Sequence, residues 1–134
     1  MSLSSFQDLL DAAHRQPDPQ RLLFVFARVD LPENATDDQR QRYTQREGGT
    51  LSPSLCVDKA PAEVASFEAL VAESETTGQP WDIVFVGSMG GRAGIAPNSD
   101  EAAQPLRFMV NAINNGRVSD FAAFDRNGQV LQFG

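Results

Sequence analysis

The stretch Trp81-Asp82-Ile83-Val84-Phe85-Val86-Gly87-Ser88-Met89-Gly90-Gly91-Arg92-Ala93-Gly94 runs from a continuous apolar segment into a loop with four glycines and one arginine. An apolar run this short reads as a strand buried on both faces, expected over Trp81 to Ser88. A glycine-rich loop at its end reads as the rim of an α/β sheet, where such sheets bind ligands.

Working outward, helical and extended patterns alternate. Upstream, Ser4 to Gln16 predicts a helix with Phe6, Leu9, Leu10 and Ala13 on one face, a Ser4/Gln7 capping box and Pro17 and Pro19 as its stop. Leu22 to Val29 predicts a strand. Pro32 to Gly49 is polar on all sides and predicts a short surface helix ending at Gly48-Gly49. Leu51 to Val57 predicts a further strand, and Pro53 within it suits a sheet edge or a bulge.

Pro61 to Glu75 predicts a helix with Val64, Phe67, Leu70 and Val71 as its apolar stripe and Gly78 as its stop. Downstream of the glycines, Asn98 and Glu101 form a capping box. The helix to Asn114 carries Leu106, Met109, Val110 and Ile113 on one face and stops at Asn115-Gly116. Phe121 to Phe124 and Gln129 to Phe133 flank Asp125-Arg126-Asn127-Gly128, which predicts a β-hairpin. Strands separated by helices suggest βαβ crossovers. The expectation is therefore one α/β domain over residues 1–134. Its sheet would be mainly parallel or mixed, with about five strands flanked by three to four helices and a C-terminal hairpin.

The 134 residues suffice for one core without disulfide or metal. The net charge of -7, with Lys59 as the one lysine, argues against nucleic acid as a partner. No apolar run approaches a membrane span, and Met1 to Ser5 lacks the pattern of a secretory signal, so the expected location is the cytoplasm. Cys56 is the sole cysteine and His14 the sole histidine, which removes thiolate metal cages, a Cys-His dyad and a His-based triad. Neither a metal nor a cofactor is expected, and no catalytic set is apparent.

The candidate ligand-binding residues are Ser88, Gly90, Gly91, Arg92 and Asp58. Glycines let backbone N–H groups approach an anion, and Arg92 can fork onto a carboxylate or phosphate. The other reading of the loop is a turn whose glycines supply positive φ. The loop lacks the spacing of the known phosphate-binding motifs. Asp58, placed where Gly87 and Ser88 would emerge in a parallel sheet, reads either as a ligand for a hydroxyl or hard metal or as the N-cap of the helix near Pro61. Asp30 reads the same way. The acid pairs Asp37/Asp38, Glu73/Glu75 and Asp100/Glu101 fit helix ends and surfaces better than an acid–base pair. Cys56, between Leu55 and Val57, reads as a small buried hydrophobe. His14 reads as a partner for a helix C-terminus.

The hairpin strands carry no interior lysine to protect an edge, which reads either as a homodimer through the hairpin or, equally well, as an edge paired within the chain.

Nearly the full length resembles a family of short proteobacterial proteins of unknown function. The resemblance is carried by Pro19-Gln20-Arg21-Leu22-Leu23-Phe24-Val25-Phe26-Ala27, Cys56-Val57-Asp58-Lys59-Ala60-Pro61, Trp81 to Val86, and Phe124-Asp125-Arg126. Members often bear the label ribonucleotide reductase subunit alpha. The resemblance implies an accessory role in nucleotide metabolism and carries over no catalytic residue.

The leading expectation is a non-catalytic binding or interaction module. The alternative is an enzyme or sensor that binds a small anionic metabolite at the Gly87–Gly94 loop.

Overall fold

The computed structural model describes residues 5–30, 50–118 and 121–131. The surface helix expected over residues 32–49 lies outside them, as do the side chains of Ser4 and Asp30. The described elements run α1 (Phe6–His14), β1 (Gln20–Asp30), β2 (Thr50–Lys59), a 3-10 turn (Pro61–Glu63), α2 (Phe67–Glu75), β3 (Ile83–Gly90), α3 (Ser99–Asn114), β4 (Ala122–Asp125) and β5 (Val130–Leu131).

The five strands form one sheet in the order β2-β1-β3-β4-β5, and every neighbouring pair is antiparallel. The parallel or mixed sheet expected from the sequence is therefore incorrect, for a topological reason. β2 and β3 both run against β1, so α2 does join two strands of like direction. β1 occupies the slot between them, as in a split βαβ unit. α3 joins β3 to β4, which are adjacent and antiparallel. Helical connections are thus compatible with a sheet that has no parallel pair.

β1 and β3 are central and buried on both faces, which is why their sequences read as unbroken apolar runs. On one face Leu22, Phe24, Phe26, Val84, Val86 and Phe124 pack beneath α1 and α2. Phe6 is the hub there. It meets Phe67 and Phe124 edge-on, at ring-centroid distances of 5.1 and 5.4 Å. On the other face Leu23, Val25, Ile83, Phe85 and Ala123 pack beneath Ala102, Met109 and Ile113 of α3.

Local chemistry sets the ends of the helices. Ser5, one residue beyond the expected cap, accepts from the Asp8 amide at 3.1 Å. The helix expected from Pro61 is divided: after the 3-10 turn, Ser66 caps α2 by accepting from the Ala69 amide at 3.0 Å. Asn98 and Glu101 form the reciprocal box at the start of α3. Pro105 lies inside α3, where it removes an i→i−4 hydrogen bond. Pro53 lies on edge strand β2, next to a register shift opposite Phe26/Ala27.

Candidate functional site

The glycine-rich loop is a hairpin. The Arg92 amide donates to the Ile95 carbonyl at 3.0 Å and the Ile95 amide returns the bond to Arg92 at 2.9 Å. Ala93 and Gly94 between them have φ of 52° and 78°. Two successive positive values in a two-residue loop define a type I′ turn. The Gly91 amide donates to the Pro19 carbonyl at 2.8 Å. A Cβ on Gly91 would lie 2.0 Å from the Ile95 carbonyl oxygen. Gly91 and Gly94 are therefore explained by close backbone approach and by turn conformation. The Gly91, Arg92 and Ile95 amides are already bonded. The Arg92 side chain is exposed.

Ser88 and Asp58 do not converge. Ser88 is paired with Leu22 and shares the face of Val84 and Val86, beneath α1 and α2. Asp58 is paired with Leu23, on the face beneath α3, and β1 lies between their two strands. The sequence reading brought them together only by assuming parallel neighbours.

Asp58 is also not the cap of a helix near Pro61. It belongs to β2 and binds Arg21 of β1 through Oδ2. Ser99, the first residue of α3, donates to the same oxygen at 2.8 Å and accepts from Arg21 Nη2 at 2.8 Å. Burial pushes the Asp58 pKa up, but hydrogen bonds from Ser99 and Arg21, together with the Arg21 charge, outweigh it and hold the carboxyl below its ordinary value. A carboxylate held ionised in this way is a poor proton acceptor at neutral pH. The cluster instead fastens β1, β2 and the start of α3 together.

Sequence reasoning missed Arg21 and Ser99. The available signals were a cation at the start of an apolar strand and a hydroxyl beside an N-cap, and neither specifies a partner across the chain.

Cys56 is exposed on edge strand β2, against the expectation of a buried position. Partial desolvation by its neighbours pushes its thiol pKa up, which disfavours the reactive thiolate. His14 does fall in the last turn of α1. Among the described residues, no group of three His, Cys, Asp or Glu side chains could hold a metal ion, and no helix is long and apolar enough to cross a membrane.

Concave surface also lies at the end of β3 beyond Val86. Among the described residues β4 pairs with β3 only from Ile83 to Val86. Beyond that point two grooves open on opposite faces of the sheet. One, of about 530 Å³, is bounded by Leu9, Ala13 and Gln16 of α1. The other, of about 590 Å³, is bounded by Gln104, Phe108 and Met109 of α3. Gly87, Ser88 and Phe121 border both. Gly87 is tight on the α3 side, where an added Cβ would lie 3.1 Å from Met109 Sδ.

The C-terminal hairpin is well specified. Asp125 Oδ1 accepts from the Asn127 and Gln129 amides at 2.8 and 3.0 Å, and Gly128 has a φ of 82°. Arg126 stacks 4.6 Å from the Trp81 ring centroid and binds Glu75 at 2.6 Å, tying the turn to the end of α2. Trp81 is buried, and its Nε1–H donates to Ser74 Oγ at 2.8 Å.

Comparison with protein-family models, with curated proteins and with solved structures finds no match to this chain.

Proposed function

We propose that the chain is a small cytosolic binding module without chemistry of its own, and that it assembles as a homodimer through the open edge of its C-terminal hairpin. One observation carries this reading. Among the described residues β5 ends the sheet, and the Asp125 amide bonds the Gln129 carbonyl at 3.0 Å. Ladder bonds alternate along an antiparallel pair, so the next residue, Val130, directs its N–H and C=O away from β4. Gln129, Val130 and Leu131 bring neither lysine nor proline to block that edge. A second copy related by a two-fold axis can meet it in the same antiparallel sense.

The anionic-metabolite reading draws less support. It needs Arg92 and the Gly91 backbone, with Ser88 or Asp58, around one ligand, whereas Arg92 is exposed, the Gly91 and Arg92 amides are bonded to Pro19 and Ile95, and Asp58 is engaged by Arg21 and Ser99.

Light scattering coupled to size-exclusion chromatography tests the dimer. The expected result is a dimer mass for the native chain and a monomer mass for a folded Val130→Pro variant, which loses the outward N–H while keeping an apolar side chain. A native chain that stays monomeric at high micromolar concentration refutes the dimer.

A further inference from the structure

We propose that the end of β3 beyond Val86, with which no described strand pairs on that side, binds an extended peptide segment of a partner protein, adding it as a strand beside Ser88 and Gly90 with alternate side chains in the two flanking grooves. The inference rests on the binding-module reading but not on the homodimer.

The ladder geometry points to this site. The Gly91 amide donates to the Pro19 carbonyl, and the β1–β3 register continues this pairing through Met89/Arg21 and Gly87/Leu23. Because ladder bonds alternate, the odd residues of β3 bond to β1 and the even ones face the other way. Val84 and Val86 accordingly face β4. Ser88 and Gly90 face the same side, both are exposed, and among the described residues no strand pairs with them there. Such an edge supplies main-chain donors and acceptors to an incoming strand, and pockets for alternate side chains supply selectivity.

The grooves have the matching placement. A strand laid beside Ser88 would direct one side chain to the α1 face and the next to the α3 face. The first would meet Leu9, Ala13 and Leu22. The second would meet Met109 and Phe108, which is 65% exposed despite its size.

The charges select the occupant. Among the described residues Glu101 is the one charged residue bordering either groove, and the chain carries a net -7. Its Oε1 accepts from the Asn98 amide, and its second oxygen can still meet a cation. The fitting segment therefore alternates apolar residues and places a lysine or arginine on the α3 side.

The test is selection of a displayed library of short random peptides on the full chain, followed by fluorescence anisotropy with the enriched peptide. The expected peptide alternates apolar residues around one basic residue and protects the Ser88 and Gly90 amides from hydrogen exchange. Ser88→Pro, which removes an outward N–H, and Phe108→Asp on the exposed face of α3 each weaken binding by about tenfold or more. Glu101→Gln, which can still accept from the Asn98 amide, weakens binding and flattens its salt dependence. Circular dichroism checks that the variants fold, and Phe108→Asp keeps the test decisive should Ser88→Pro unfold. An enriched peptide that binds the folded variants as tightly as the native chain overturns this site while sparing the module reading. Failure of the library to enrich any peptide above the Phe108→Asp control also overturns it, and leaves the module reading to the dimer measurement.

Discussion

Alanine at Gly91 and alanine at Gly94 should have different costs, because the two glycines serve different physical needs. At Gly91 the added Cβ would sit 2.0 Å from the Ile95 carbonyl oxygen. Ordinary non-bonded contact is well over 3 Å, so the backbone must separate and open the Arg92–Ile95 bridge. That bridge consists of two hydrogen bonds, at 3.0 and 2.9 Å. At about 0.5–1.5 kcal/mol each, their loss amounts to about 1–3 kcal/mol, and strain at the junction with β1 adds to it. At Gly94 an added Cβ meets nothing within 4 Å, and only the positive φ of 78° opposes it. That conformation costs a non-glycine residue about 1–2 kcal/mol. Ala93 already bears such a strain at a φ of 52°. Ala93→Asn should therefore stabilise the chain by about 0.5–1 kcal/mol, since asparagine-glycine is the preferred pair for this turn. Urea denaturation of the three variants at one pH reads these differences as shifts in midpoint at constant slope. The reasoning fails if Gly91→Ala is no more destabilising than Gly94→Ala, or if Ala93→Asn destabilises. Either result would mean that the glycines are not held by a type I′ turn.

Asp58→Asn should destabilise the chain at neutral pH by about 1–3 kcal/mol, since it weakens charge-assisted bonds to Arg21 and Ser99. The folded-state pKa of Asp58 lies below its ordinary 3.8, so its contribution is full above that value and is lost as pH falls through the lower folded value. The stability gap between native and variant should accordingly close below pH 3.8, as followed by denaturant midpoints across an acid series. Ser74→Ala leaves the buried Trp81 Nε1–H without its acceptor and should cost about 1–3 kcal/mol, measured by thermal or urea unfolding. Pro105→Ala restores a donor inside α3 and should raise stability, by up to about 3 kcal/mol, with the midpoint moving upward.

The features legible in the sequence are those governed by neighbours along the chain. The run Ile83 to Val86 announced a doubly covered strand, Asn98 with Glu101 announced a helix start, and Asp125 to Gly128 announced the hairpin turn. Pro53 marked an edge with an irregular register. Strand direction was not legible, because a helix between two strands is equally consistent with an intervening third strand. That one ambiguity displaced the candidate site. It put Asp58 beside Ser88, where an antiparallel β1 in fact lies between them with their side chains on opposite faces. The Arg21–Asp58–Ser99 cluster and the two grooves depend on long-range pairing, and no local pattern encodes them.

Trp81 gives the molecule an optical property. It is the single tryptophan of the chain, so its emission has one source. The indole is buried edge-on to Phe26 at 4.9 Å, with the Arg126 guanidinium over its face and its N–H directed to Ser74 of α2. These contacts come from β1, from the hairpin turn and from α2, so the fluorophore stands at a three-way junction. Release of Arg126 alone would remove a positive charge from the ring face while the sheet stayed intact. Loss of the sheet would admit water to the ring. The two events change the emission in different ways, so a single intrinsic signal separates loosening of the hairpin turn from unfolding of the domain.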